Sequence, residues 1–304
     1  MLISVFVPFA NEEGNLPELI ERIELGAKIA GVGVELVMVD DGSRDGSFAA
    51  ATEISKDKPW IKLLKHRVNR GLTEAMKTGF AHCSGEIIVF LPSDLESHPD
   101  EDIPALLEGF KSGADVVCGR RKGRKDGKLA LSFIYNIVSK TLFNMTLHDM
   151  NWIKAFKADC LEDLELRSDW HRFIAQILHE KGYKITEVPV NWHKRKSGKS
   201  HFGLKRIPIA FFDSLAVKFI LTFTKAPMRF FGTVGLLQIL SALGIGSWFI
   251  YAKFILNENI LRNRPLLYFL VMLFLSGIIF FFMGFIAELI VSLKDEIKRG
   301  SRDD

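Results

Sequence analysis

The sequence predicts an α/β domain, a mostly parallel sheet flanked by helices, followed by a transmembrane helical hairpin. Three observations predict it. Apolar runs alternate with helical patterns over the first part of the chain, one such run stops abruptly at two carboxylates, and two long uncharged stretches lie near the C-terminus. Residues 3–7 read as a strand and 15–29 as a helix. The alternation continues with strand 35–39 and helix 47–55, strand 61–65 and helix 72–82, then strand 86–91. Continuous Val, Ile and Leu runs suit strands buried on both faces, and strand–helix alternation gives parallel pairing. Residues 1–205 are long enough to bury one substantial core.

The run at 36–39 passes directly into Asp40-Asp41-Gly42-Ser43. Open α/β sheets bind ligands at the carboxyl ends of their strands, which aims both carboxylates at a ligand. The plain alternative is a helix cap, but capping needs one such side chain, and Ser43 or Asp45 would serve.

Residues 230–252 and 265–287 carry no charge, and about 20 apolar residues cross a hydrocarbon core. Phe and Leu on every face argue against two buried helices of a soluble protein. A polar turn at 257–265 joins them. Lys and Arg crowd residues 194–229 and the tail beyond Glu288, whereas the turn has only Arg262 and Arg264. This bias predicts that the N-terminal domain and the tail are both cytoplasmic. Met1 leads straight into a strand, so no secretory leader is expected.

Cys83, Cys118 and Cys160 lack metal or disulfide spacing, as a reduced compartment allows. The formal net charge is +4, and its basic residues gather next to the spans. That points to anionic lipid headgroups and not to nucleic acid. Between 207 and 225, Ser214, Lys218, Thr222 and Lys225 recur at helical spacing amid Phe, Leu and Ile. Such a helix lies on the bilayer surface or packs on the soluble domain. The expected organisation is therefore a cytosolic domain at 1–205, a surface helix at 206–227 and a hairpin with a basic tail at 228–304.

Several segments together resemble a known family. Val7-Pro8-Phe9-Ala10-Asn11-Glu12-Glu13, Val39-Asp40-Asp41-Gly42-Ser43 and Asn69-Arg70-Gly71 resemble the start of a family 2 glycosyltransferase. Ser93-Asp94-Leu95-Glu96-Ser97-His98-Pro99 resembles that family's metal-site segment. Val116-Val117-Cys118-Gly119-Arg120-Arg121, Glu187-Val188-Pro189-Val190 and Arg195-x-x-Gly198-x-Ser200 resemble the polyprenyl-phosphate glycosyltransferases. The dolichol-phosphate mannosyltransferases belong to that group. The resemblance spans residues 1–205, and the hairpin matches members with two transmembrane helices. It implies a GT-A type domain that transfers a sugar, with inversion, from a nucleotide-sugar to a polyprenyl phosphate for cell-envelope glycans. A UDP-sugar is the expected donor. A homo-oligomer is also implied.

The resemblance implies nucleotide-binding roles for Pro8, Asn11, Glu12 and Asp40, with Asp41 and Ser93 close by. Carboxylates such as Glu12 and Asp40 suit a pyrimidine N–H and ribose hydroxyls. Asn69 and Gly71 precede a helix whose N–H groups face ribose or phosphate, although a plain cap serves Asn69 equally. A diphosphate leaves more readily when a divalent cation neutralises it. Asp94 is the expected ligand. Where the family has a further Asp two residues earlier, this chain has Pro92, and Glu96 restores the carboxylate count. Mg²⁺ or Mn²⁺ on Asp94 and Glu96 is expected, the alternative being that Glu96 is a surface residue.

For the phosphates, Arg121, just after a strand expected at 115–118, and Arg195 are the expected contacts, since Arg binds phosphate bidentately. Lys199 and His201 complete the basic group, although an unperturbed His is mostly neutral at pH 7. Lys194 and Lys196 read as a solvated face. Asp149 falls on the acceptor-loop motif 148–157, where the family places a proposed base, but this version is one residue shorter and lacks the usual Gly. An alkyl phosphate has a second pKa of about 6 and needs little deprotonation, so Asp149 is expected to position more than to titrate. Asp94, Asp149 and Arg195 are thus the catalytic candidates. His171 and Arg172 open a helix whose Ile174, Ile177 and Leu178 read as core, and they either approach the site or pack. Two other readings stay open: a transferase of the same fold acting on a lipid-linked glycan hydroxyl, and a non-catalytic membrane scaffold.

Overall fold

In the computed structural model, one seven-stranded sheet runs in the order Ile61–Lys65, Gly33–Asp40, Leu2–Phe9, Ile87–Phe90, Lys154–Lys157, Val116–Lys122 and Ile185–Asn191. The residues described are 1–122, 143, 145, 147–149, 152–167, 170–194, 213, 215–221, 226–257 and 264–300. Two compact units divide the chain, Met1–Leu215 and Ala216–Asp304.

In the first unit, β1 (Leu2–Phe9), α1 (Leu16–Ala30), β2 (Gly33–Asp40), α2 (Ser47–Ser55), β3 (Ile61–Lys65), α3 (Leu72–Phe80) and β4 (Ile87–Phe90) follow the predicted alternation. β1 pairs in parallel with β2 on one side and β4 on the other. Its Val5, Val7 and Phe9 join a core with Leu19, Ile20 and Ile23 of α1. On the opposite face, Phe6 meets Phe80 of α3 edge-on at 5.0 Å. Burial on both faces explains why these strands read as unbroken apolar runs.

α4 (Pro99–Gly109) leads to β5 (Val116–Lys122), followed by β6 (Lys154–Lys157), α5 (Ile174–Glu180) and β7 (Ile185–Asn191). β6 is antiparallel to both β4 and β5, while β5 and β7 pair in parallel. The strand predicted at 115–118 continues through Lys122, so Arg121 sits within it. Its charges are tolerated because Arg120, Arg121 and Lys122 are not buried. At the amino end of the sheet, the buried Glu35 carboxylate accepts from Ser4, Ser84, Gly85 and Lys62. That charge is structural and lies away from the strand ends that carry the candidate site.

The second unit holds α6 (Pro227–Phe254) and α7 (Arg264–Gly300). Both contain stretches long and apolar enough to cross a membrane, and little of either is buried. A Cβ at Gly235 would meet the Gly277 carbonyl oxygen at 2.6 Å, so glycine permits the close approach of the two helices. Ser276 donates to Gln238 across the pair at 3.2 Å. Most of the surface helix predicted at 206–227 lies outside the described residues.

Candidate active site

The sheet order turns around at β1, with β2 on one side and β4 on the other, the place where open α/β sheets form a binding crevice. A cleft of about 260 Å³ opens there, lined by Pro8, Phe9, Asp41, Asn69, Gly71 and Ser93 among others. Five of the predicted nucleotide residues thus meet around one cavity.

Asn11, Glu12 and Asp40 sit beside that lining in a second ring of contacts. Asn11 adopts a left-handed φ of 58°. Its N–H donates to Ser43 Oγ at 3.0 Å, and its Oδ1 accepts from the Arg44 N–H at 2.8 Å. The Glu12 N–H donates to Ser47 Oγ at 2.8 Å, and Asn15 donates to the Glu12 carboxylate. Asp40 is wholly buried; its Oδ1 accepts from the Ser43 N–H at 2.8 Å. Its Oδ2 is buried with no hydrogen-bond partner among the described residues. A buried carboxylate oxygen left open in this way is costly unless something fills it.

Asp41 has a different task from its neighbour. Its Oδ1 accepts from the Arg70 N–H at 2.9 Å and its Oδ2 from the Gly71 N–H at 2.8 Å. The buried His66 Nδ1 lies 2.8 Å from Oδ1, with Nε2 on Thr78. Asp41 therefore shapes the turn into α3, where Gly71, not Asn69, occupies the cap position. Gly42 completes this arrangement. Its φ is +73°, and a Cβ would meet Asn69 N at 2.5 Å, so only glycine lets the two turns approach.

After β4, Ser93, Leu95 and Ser97 are buried while Asp94 and Glu96 alternate toward the surface. The Glu96 N–H donates to Asp94 Oδ1 at 3.1 Å, and Leu95 takes a left-handed φ of 57°. This turn brings the two predicted metal-ligand residues together. His193 N–H donates to the Glu96 carbonyl at 3.1 Å, and Trp192 Nε1 lies 3.4 Å from Glu96 Oε2. Among the described residues, His98, Glu101 and His193 bring ligand-type atoms within 4.8 Å of one another. Their imidazoles, however, stack face to face at 3.4 Å and 8°. A cation in the plane of one ring would lie out of the plane of the other, so this group reads as a buttress for the Asp94–Glu96 turn.

On β5, Arg121 holds Asp149 with both arms of its guanidinium, at 2.6 and 3.0 Å. The Arg121 guanidinium also lies 4.5 Å from the Trp152 ring centre, which assigns Trp152 to packing. Beside them, Lys154 is fully buried and donates to the Trp152 carbonyl at 2.8 Å, and burial pushes its ammonium pKa down. Glu187 of β7 accepts the His148 N–H at 2.5 Å and the Asp149 N–H at 2.9 Å. Neither the Lys154 ammonium nor the Glu187 carboxylate had been predicted as a site member. Lys154 shares the segment 148–157 with Asp149, whereas Glu187 is joined to it only by the fold.

Arg195, Lys199 and His201 lie outside the described residues. His171 contacts Thr73 of α3 at 3.0 Å and opens a turn before α5, where Ile174, Ile177 and Leu178 are buried as predicted. Burial pushes the Cys83, Cys118 and Cys160 thiols up to about 12, which removes them as nucleophiles.

The sequence model described as glycosyl transferase family 2 matches residues 4–161. The chain is 30% identical over 302 residues to a dodecaprenyl-phosphate galacturonate synthase of Rhizobium johnstonii, covering 95% of this chain and 87% of the relative. It is 26% identical over 305 residues to an undecaprenyl-phosphate 4-deoxy-4-formamido-L-arabinose transferase of Salmonella paratyphi B, covering 99% of this chain and 91% of the relative. Glucosyl-3-phosphoglycerate synthase from Mycobacterium tuberculosis, solved with Mn²⁺, UDP and phosphoglyceric acid, matches with a TM-score of 0.57 at 20% identity, covering 71% of this chain and 78% of that chain. The mannosyltransferase PcManGT from Pyrobaculum calidifontis, solved with GDP-Man and Mn²⁺, matches with a TM-score of 0.51 at 22% identity, covering 74% of this chain and 63% of that chain. At these identities the two structures speak for the fold.

Proposed function

Because the chain belongs to glycosyl transferase family 2 and has a GT-A-like fold, we propose that it transfers a sugar from a nucleotide-sugar, expected to be a UDP-sugar, to a polyprenyl phosphate. One observation carries this reading. The likeness to two relatives named for polyprenyl-phosphate acceptors covers 95% and 99% of this chain, apolar C-terminal helices included.

In the proposed reaction a phosphate oxygen of the acceptor bonds to the anomeric carbon. The bond from that carbon to the donor diphosphate breaks, its electron pair leaves with the nucleoside diphosphate, and the configuration inverts. Pro8, Asn69, Gly71 and Ser93 line the nucleotide cleft, while Asp40 Oδ2 supplies a buried acceptor for a base N–H or a ribose hydroxyl. Asn11, Glu12 and Asp41 keep the flanking turns in shape.

The donor set at Asp94 and Glu96 fits Mg²⁺ or Mn²⁺. Both are hard carboxylate ligands, and the Glu96 N–H to Asp94 bond folds them into one turn. When bound, such a cation offsets the charge growing on the leaving diphosphate. Arg121 meets the acceptor phosphate, and Asp149 orients its planar fork. Both Asp149 oxygens are engaged by Arg121, which favours positioning over proton abstraction and so a phosphate over a hydroxyl acceptor. Arg195, Lys199 and His201 are assigned to the same phosphates. The two apolar helices keep the enzyme in the membrane that holds its isoprenoid acceptor. The Lys and Arg bias supports a cytoplasmic side for the N-terminal domain and the tail.

The test is transfer of label from a panel of UDP- and GDP-sugars into extractable lipid by the purified full chain. It is run with a polyprenyl phosphate and either Mn²⁺/Mg²⁺ or EDTA. Metal-dependent labelling from one donor is expected, and Asp94→Asn is expected to lower it roughly 100-fold, the scale of losing one charge-stabilising group. Label in a lipid-linked glycan but never in polyprenyl phosphate would replace this reading with the hydroxyl-acceptor one.

A further inference from the structure

We infer that Glu187 is a positioning residue for the acceptor side, fixing the backbone at His148 and Asp149 so that the Asp149 carboxylate stays on Arg121. The inference rests on the function proposed above for the identity of the group that Arg121 meets.

The geometry is a clamp with two jaws. One is Arg121 on β5, whose guanidinium takes the Asp149 side chain. The other is Glu187 on β7, whose carboxylate takes two consecutive N–H groups, those of His148 and Asp149, on the single oxygen Oε1. Its second oxygen, Oε2, lies 2.8 Å from the His148 ring. β5 and β7 are directly paired, with Cys118 opposite Glu187 and Arg121 opposite Val190. Both jaws therefore belong to one rigid pair of strands, while the segment they grip comes from a loop that approaches β6.

The chemistry indicates more than a loop fastening. Placing a second carboxylate beside Asp149 sets two like charges together where both are largely shielded from solvent, with Glu187 only 12% exposed and Asp149 16%. A hydroxyl could accept an N–H there without adding charge. A carboxylate makes stronger, charge-assisted bonds and accepts from two N–H groups at once. The result removes the freedom of the two residues whose orientation decides where the Arg121 fork points. Displacing a reacting partner by about 1 Å can cost roughly 100-fold in rate, so holding this loop bears directly on transfer.

The experiment compares full-chain Glu187→Ala and Glu187→Gln with wild type by three readouts. These are amide exchange at His148 and Asp149, kcat/KM for polyprenyl phosphate, and UDP affinity. Glu187→Ala is expected to speed exchange at both amides and to lower acceptor kcat/KM roughly 10–100-fold, with UDP affinity unchanged. Glu187→Gln keeps an oxygen that can accept both N–H bonds without the charge and is expected to recover part of the loss. If Glu187→Ala does not fold, Glu187→Asp, which withdraws the carboxylate by one methylene, takes its place.

Unchanged acceptor kcat/KM despite faster exchange would overturn the inference, and so would equal losses in UDP affinity and acceptor turnover. Glu187→Gln as damaged as Glu187→Ala would overturn it too. If wild type uses a different phosphate acceptor and the variants keep this order, the inference stands and only the choice of acceptor falls.

Discussion

Around the nucleotide cleft, side chains hold backbone. Asp40, Asp41, Ser43 and Ser47 accept N–H groups from neighbouring turns, and almost no full positive charge takes part. Around Arg121 a side chain holds backbone too, but there charge also meets charge. Arg121 pairs ionically with Asp149, Glu187 of β7 takes the backbone N–H groups of His148 and Asp149, and the buried Lys154 lies beside them. The contrast fits what each side is proposed to receive. A base and ribose are neutral and must be recognised by shape and by hydrogen bonds of fixed direction. A phosphate dianion must be drawn from water, and only full charges compensate its lost hydration. The donor side is therefore preshaped by hydrogen bonds, whereas on the acceptor side a carboxylate orients the guanidinium proposed to meet the phosphate.

The strongest way to break this division is Arg121→Ala. It removes the proposed phosphate partner and leaves the Asp149 carboxylate uncompensated. Transfer to polyprenyl phosphate should fall roughly 100–1000-fold, the scale of losing a preorganised charge-stabilising group. UDP affinity measured by calorimetry should not change. A matching loss of UDP affinity would show that the two sides are not independent.

The mirror test is Asp40→Asn. If a nucleotide N–H or hydroxyl fills the open position at Asp40 Oδ2, an amide NH₂ placed there opposes it. UDP should then bind about 10–100-fold more weakly, the cost of one unmet hydrogen bond to a charged group. Acceptor KM should hold at saturating donor. If Oδ2 meets no ligand, the same variant instead relieves a buried unpaired charge. Stability would then rise with UDP affinity unchanged, an outcome that removes Asp40 from the nucleotide site.

The same division explains what the sequence made legible. The donor side lies in short contiguous runs, 7–13, 39–43 and 93–99, because each is one strand end and its turn. Periodicity located those strands, and strand-end chemistry then pointed to the carboxylates. Arg121, Asp149 and Glu187 also lie in recognisable segments, but separations of 28 and 38 residues gave no sign that the three meet in one clamp. Only the pairing of β5 with β7 brings them together. β6 was equally hidden. Its four residues, Lys-Ala-Phe-Lys, show no period longer than one alternation, and the buried Lys154 contradicts the usual placement of lysine. The end of β5 was placed too early because Arg120 and Arg121 look like a loop when their partner strand is unknown.

A smaller effect separates the scaffold of the proposed metal turn from its function. Behind Asp94 and Glu96, Ser97 donates to the buried Asp102 of α4. Burial, reinforced by the nearby Glu101 and Asp100, pushes the Asp102 carboxyl up to about 7, against the opposing hydrogen bond from Ser97. An unfolded chain restores a pKa of about 3.9. Between those values the folded state holds a proton that the unfolded state has lost, so folding is favoured at low pH. The benefit is complete below pH ~4 and declines by at most about 1.4 kcal/mol per unit until pH ~7, beyond which it is gone. Asp102→Asn keeps an acceptor for Ser97 and cannot titrate. Its urea midpoint should therefore fall less than that of wild type between pH 5 and pH 8, while UDP affinity and acceptor kcat/KM at pH 7 match wild type within about twofold, since no substrate is assigned to Asp102. An equal pH response in both proteins would mean that Asp102 is ionised throughout and that Ser97 and the His98 N–H carry its charge. The turn holding Asp94 and Glu96 would then rest on a buried anion and not on a shared proton.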